Sequence, residues 1–109
     1  MPADDDDHLG LQFDYEKPEG EGRYIHKLTA RTERGNQLGT MLWSNKHILN
    51  IGVSADQQRR GVATALWNEA HRLASELQRI PKPRHSPDRT NAGDAWARSV
   101  GGRLPRRKR

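Results

Sequence analysis

The residues with the clearest chemical potential are Gln58-Arg59-Arg60-Gly61-Val62-Ala63, followed by Thr64. They follow the apolar run Leu49-Asn50-Ile51-Gly52-Val53 and the loop Ser54-Ala55-Asp56-Gln57, and they open an amphipathic stretch. A tight loop at a helix N-terminus presents backbone N–H groups without intrahelical partners, at the positive end of the helix dipole. Such a terminus is an anion site. Gly61 has no Cβ, so a phosphate can approach the backbone, and Ala63 is the next small residue. Arg59 and Arg60 add positive charge, and each charge-assisted hydrogen bond contributes roughly 1.5–3 kcal/mol. Several together would hold a pyrophosphate. Taken alone, the same residues also describe an ordinary helix start with solvated arginines.

Other residues with chemical potential are dispersed. His47 precedes the apolar run, and imidazole titrates near neutral pH, about 6.5, which suits a general base. It also reads as an exposed histidine at a strand end. His26 and Glu33 are weaker candidates for the same role. His8, His71 and His85 lack the spacing of a metal site, and the chain has no cysteine, which excludes disulfides and Cys-based zinc sites.

These residues need elements to position them. Leu9, Leu11, Phe13 and Tyr15 alternate with polar residues, the period of a strand with one buried face. Lys17 to Gly22 is a breaker cluster. A second strand is expected over about Tyr24 to Arg31 and a third over about Gln37 to Trp43. They are joined at Glu33-Arg34-Gly35-Asn36, where Gly35 and Asn36 can take positive φ. His47 to Val53 reads as a fourth strand. Ile48, Leu49 and Ile51 are apolar on both faces, which predicts a central position in the sheet. Val62, Leu66, Ala70, Leu73 and Leu77 form one helical stripe, with Glu69, Arg72 and Glu76 off it. Pro81 and Pro83 stop that helix. Pro83 to Ser86 is a possible short strand, and a second helix is expected over Asn91 to Val100 with Thr90 as N-cap. The layout is α+β, or mixed α/β, with two main helices.

The 109 residues predict a single domain over 9–102, flanked by a disordered acidic head (1–8) and a disordered basic tail (103–109). A hydrophobic fraction of 32% and a mean hydropathy of −1.06 predict a thin core. The net charge is +5, but five of the cations lie in Arg103, Arg106, Arg107, Lys108 and Arg109. The basic character is therefore largely a tail property, offset in part by Asp4 to Asp7. No apolar run approaches the roughly 20 residues needed to span a bilayer, and the acidic start is unlike a signal peptide. A soluble, cytoplasmic protein is expected.

The run ILNIGVSADQQRRGVATALWNEA resembles the fourth strand, pyrophosphate loop and following helix of the GNAT N-acetyltransferases. Their signature, Gln/Arg-x-x-Gly-x-Gly/Ala, reads here as Gln58 to Ala63. The hairpin Ile25 to Trp43 is similar to the family's second and third strands. RTNAGDAWARSVGG is similar to its last helix, and the likeness covers roughly residues 9 to 102. It implies a mostly antiparallel sheet that splays after the fourth strand. It also implies acetyl-CoA as co-substrate, with pantetheine on the backbone near Ile51 and Val53. The diphosphate would lie on Gln58, Arg59, Arg60, Gly61, Val62, Ala63 and Thr64. Catalysis would be direct attack of an amine, on a protein or small molecule, on the thioester, with His47 where some members carry a base.

The likeness departs at two places. No helices fill the interval between the first two strands, so the acceptor side is expected to be open. The position of the family's acidic Tyr falls at Ala97, beside Trp96 and near Ser99. Three readings follow: an N-acyltransferase; a GNAT-like module that binds acyl-CoA or a protein without turnover; and a small basic protein binding nucleic acid non-specifically through Arg103 to Arg109.

Overall fold

The computed structural model describes residues 11–18, 24–53 and 61–108. Four strands and two helices follow one another as β1 (Gln12–Glu16), β2 (His26–Arg31), β3 (Gln37–Trp43), β4 (Ile48–Val53), α1 (Val62–Glu76) and α2 (Asn91–Val100). The class is α+β. The strands form one antiparallel sheet in the order β1-β2-β3-β4. The head (1–8), residues Leu9 and Gly10, and Gln58, Arg59 and Arg60 lie outside the described residues.

Alternation along the strands sorts the side chains onto two faces. The inner face stacks cross-strand rows: Phe13 opposite Ala30, and Ala30 opposite Gly39; Tyr15 opposite Leu28, and Leu28 opposite Met41. Leu28, Met41, Trp43 and Leu66 are fully buried. Burying each such side chain contributes about 1.5–3 kcal/mol. The outer face is mostly polar, with Leu42 opposite Lys27, and its ion pairs Arg31–Asp14 (2.8 Å) and Lys27–Glu16 (3.7 Å) are exposed. Between β2 and β3, Gly35 at φ 89° turns the chain, and Thr32 N donates to Asn36 O at 2.9 Å. No non-glycine residue has positive φ among the described residues, so Asn36 does not share that role.

Helix α1 covers the inner face. Val62, Leu66 and Ala70 of the expected stripe are buried, and Trp67 joins them. Leu77 does not: it caps the helix in an extended conformation and is 51% exposed. Arg72 bridges Glu69 (2.6 Å) and Glu76 (2.9 Å) on the outer side, as the spacing predicts. Helix α2 begins as expected, with Thr90 Oγ1 accepting from Gly93 N at 3.1 Å. No described helix is long and apolar enough to cross a membrane.

Two further expectations change. β4 is the last strand in the described sheet, not a central one. Its alternation breaks where the β3–β4 register shifts between Leu42 and Trp43. Ile48 is then buried, while Leu49 stands 47% exposed. A bulge of this kind bends the strand and re-aims side chains. The outward apolar residue that suggested a second covering layer therefore lines a groove instead. Residues Pro83 to Ser86 run extended beside β4 without forming a strand; Ile48 N donates to Arg84 O at 2.7 Å.

Candidate ligand groove beside the fourth strand

Past the Ile48–Arg84 bond, β4 and the following segment enclose a groove of about 230 Å³. Leu49, Asn50 and Ile51 form one wall, and His85, Arg89 and Trp96 contribute to the other. The second wall is held by polar contacts that are satisfied internally. Arg89 Nε donates to Asp94 Oδ1 at 3.0 Å, and its Nη1 donates to Ser86 O at 2.6 Å. Arg98 Nε donates to Asp94 Oδ2 at 2.9 Å. Hydrogen bonds from Arg98, and secondarily from Arg89, outweigh desolvation and hold the Asp94 carboxyl below its usual range. The pairing keeps Arg89 and Asp94, both buried, from being stranded charges.

The wall is also tied to the helices and sheet by aromatic packing. His85 stacks on Trp67 with ring centroids 4.4 Å apart and planes within 5°. Trp96 stands edge-on to both rings. Trp96 Nε1 donates to Thr64 Oγ1 at 3.2 Å, linking α2 to the first turn of α1. Trp43 Nε1 donates to Pro81 O at 2.8 Å, fixing the start of the extended segment to the sheet.

The first turn of α1 adjoins the end of β4. Gly61, its N-cap, sits at φ 79°, a left-handed conformation that favours glycine. Gly61 has no side chain with which to cap this terminus, and no acidic residue lies in its first turn. The leading N–H groups of a helix have no intrahelical partner and take other acceptors. A second glycine sets how closely the helix can approach: a Cβ at Gly39 would meet Gly52 O and Val62 Cγ1, both at 3.0 Å.

The expected cofactor residues thus divide. Ile51 lines the groove. Val53 packs against the core, and the Val62 side chain is buried in it, so only the Val62 backbone could meet a ligand. Ala63 and Thr64 are half-buried on the first turn, and the Thr64 hydroxyl is already engaged by Trp96. Val53 and Gly61 to Thr64 lie outside the groove lining. Ala97 is fully buried, and the Ser99 hydroxyl donates to Trp96 O at 2.6 Å.

His47 stands elsewhere. It lines a neighbouring cleft, and among the described histidines His85 alone borders both spaces. His47 Nδ1 lies 2.9 Å from Ile48 O. A carbonyl can only accept, so the neutral ring carries its proton on Nδ1 and leaves Nε2 as the basic nitrogen. His85 shows the opposite tautomer, since Nε2 lies 2.7 Å from Gly101 O. No group of three potential metal ligands occurs among the described residues.

Sequence reasoning passed over His85, Arg89 and Asp94 as site-forming residues. Their signal was the packing of polar residues between Pro83 and a helix, at positions that a solvated loop would not need to bury. Glu33, the weaker base candidate, is exposed on the β2–β3 turn, and His26 is buried with Nδ1 at 2.6 Å from the Tyr15 hydroxyl. Set against models of known families, characterised proteins and solved structures, the chain matches none.

Proposed function

We propose that this chain is a compact acyl-CoA-dependent N-acyltransferase of GNAT type, with acetyl-CoA as co-substrate and an amine as acceptor. One observation carries the reading. A groove opens along the outer edge of β4, and the chain goes on to a glycine-opened helix terminus with no carboxylate in its first turn. The sheet and the extended segment share the bond at Ile48 and part beyond it, in keeping with the splay that the motif implies. Ligand pockets for whole drug-sized molecules measure about 300–1,000 Å³. The groove, at about 230 Å³, suits the acyl and cysteamine end of the cofactor. Its phosphates would then lie outside, toward Gly61 and the arginines Arg59 and Arg60.

The chain's own part is orientation and polarisation. Backbone N–H groups of the β4 edge near Ile51 would hold the thioester carbonyl. The amine attacks that carbon, a C–N bond forms, the C–S bond breaks, and the amine proton leaves to a base or water. Such transfer needs no covalent enzyme intermediate; placing amine and thioester together lowers the barrier.

A second reading is binding without turnover. Burial of Ala97 favours it, because no acidic side chain occupies the position from which the leaving thiolate would be protonated. Calorimetric titration with acetyl-CoA tests both readings. Leu49 is exposed on the groove wall, so Leu49→Trp should fill the groove without unfolding the chain. We expect binding by the wild type and at least about a tenfold loss in the variant, or roughly 1.4 kcal/mol. No heat at millimolar acetyl-CoA would sink both readings. If binding occurs, release of CoA with an amine panel separates turnover from binding.

A further inference from the structure

The second cleft, where His47 lies, is larger, at about 530 Å³. Four cations line it: Lys46 from the β3–β4 turn, Lys82 and Arg84 from the extended segment, and Arg103 from the chain after α2. No aspartate or glutamate lines it. Elsewhere Lys27, Arg31, Arg72, Arg89 and Arg98 hold carboxylates, whereas none of these four cations enters an ion pair among the described residues. Folding therefore draws like charges from three distant stretches into one concavity, at a cost in mutual repulsion.

An independent feature lies in the wall of the same cleft. His71 Nε2 is buried and has no hydrogen-bond partner. Buried polar atoms are nearly always paired, so one that is not marks a place where a partner is expected. Among the described residues the other such atom is Nε of Arg107, whose Nη2 already donates to Arg89 O and Asn91 Oδ1 at 3.0 Å each. Around His71, Trp67 stands edge-on at 4.5 Å and is itself stacked on His85, so this side of the cleft is packed aromatic rings.

We propose that this cleft binds a compact phosphate-bearing ligand, with the phosphate among Lys46, Lys82, Arg84 and Arg103 and His71 beneath it. Four cations without a carboxylate match a multiply charged anion better than a single carboxylate. The charges converge in a concavity; they do not run as a stripe along the surface, and that favours a small ligand over an extended nucleic acid. Trp67 and His85 are buried against each other, which leaves no open ring for base stacking. The site is distinct from the groove of Leu49 and Ile51, and the proposal does not rest on acyl-CoA binding.

Pyrophosphate is the probe, titrated calorimetrically into the full chain at low salt. We expect one site, which Lys82→Gln combined with Arg84→Gln weakens by about tenfold, since exposed charges each contribute modestly. Both side chains are exposed, so the double variant should melt like the wild type. Arg34→Gln removes an exposed cation from the distant β2–β3 turn and should leave the affinity unchanged. Equal weakening by Arg34→Gln would reduce the effect to net charge and overturn the proposal. So would the absence of binding at millimolar pyrophosphate, or a single-stranded oligonucleotide that binds and is not displaced by pyrophosphate. Because acetyl-CoA carries phosphates, which the acyl-CoA reading puts toward Gly61, Arg59 and Arg60, the separating control is Arg59→Gln combined with Arg60→Gln. Pyrophosphate binding must survive that variant, and its loss there would refute a separate site.

Discussion

The two concavities share His85 yet treat charge in opposite ways. At the groove beside β4, Arg89 of the lining shares the Asp94 carboxylate with Arg98 and also donates to Ser86 O. In the cleft of His47 and His71, four cations face one another with no carboxylate in the lining. Charge that supports a wall is paired inside the wall; charge left facing a cavity is available to whatever enters. The contrast separates the arginines that hold the structure up from those that could recognise a ligand, a distinction that net charge conceals.

The largest effect should come from the part common to both. Trp43 is fully buried, and its Nε1 holds Pro81 O at the start of the segment that walls both spaces. Trp43→Ala should cost about 3–5 kcal/mol in urea unfolding. It should also weaken acetyl-CoA and pyrophosphate binding together. If one survives intact while the other vanishes, the two walls are not jointly anchored.

Acid should act on the paired region and on the buried histidines in two ranges. Burial lowers the His26 pKa from 6.5, and burial followed by repulsion from Lys82 and His85 lowers that of His71. A lowered histidine pKa means the unfolded chain binds the proton more readily, so stability is lost as pH falls below 6.5. Asp94 is also lowered, from 3.8, so its contribution is present above that pH and is lost only in stronger acid. Melting temperature against pH should therefore decline first below pH 6.5 and again below 3.8. His26→Gln should flatten the first decline and leave the second, whereas an unchanged first decline would assign it elsewhere.

The smallest effect should come from the outer sheet face, which belongs to neither concavity. Lys27 pairs with Glu16 at 3.7 Å in solvent. Lys27→Ala should change stability by about 0.5 kcal/mol or less and leave both ligands' affinities unaltered. A larger shift in either affinity would mean that the polar face communicates with the helix side.

The helices and three of the strands were legible because their signals are local. The stripe from Val62 to Ala70, the Thr90 cap and the turn at Gly35 depend on residues within a few positions of one another. The place of β4 was not legible. An apolar residue on the outer side of a strand predicts cover, and the sequence has no way to distinguish cover by a layer from a groove wall. Leu49 is such a residue. The cationic cleft was hidden for a different reason: Lys46, Lys82, Arg84 and Arg103 converge only through tertiary structure. Counting charge along the chain drew attention to the end instead. There Arg107 donates to Arg89 O at 3.0 Å, and Lys108 N donates to Pro87 O at 2.8 Å. The motif Gln58 to Ala63 was conspicuous as a pattern, but among the described residues Ile51 is the one expected cofactor residue that reaches the groove.

Gly39 acts as a spacer of zero thickness. With Gly52 O and Val62 Cγ1 each 3.0 Å from where its Cβ would stand, the distance between the sheet and the first turn of α1 is set by an absent methyl group. Gly39→Ala would work as a shim, lifting one end of the helix while Leu66 and Ala70 hold the middle against the sheet. The helix would tilt, and the terminus at Gly61 would move relative to β4. The geometry of the proposed phosphate cradle is thus calibrated from the neighbouring strand, by a residue that lies outside the motif and would never touch the ligand.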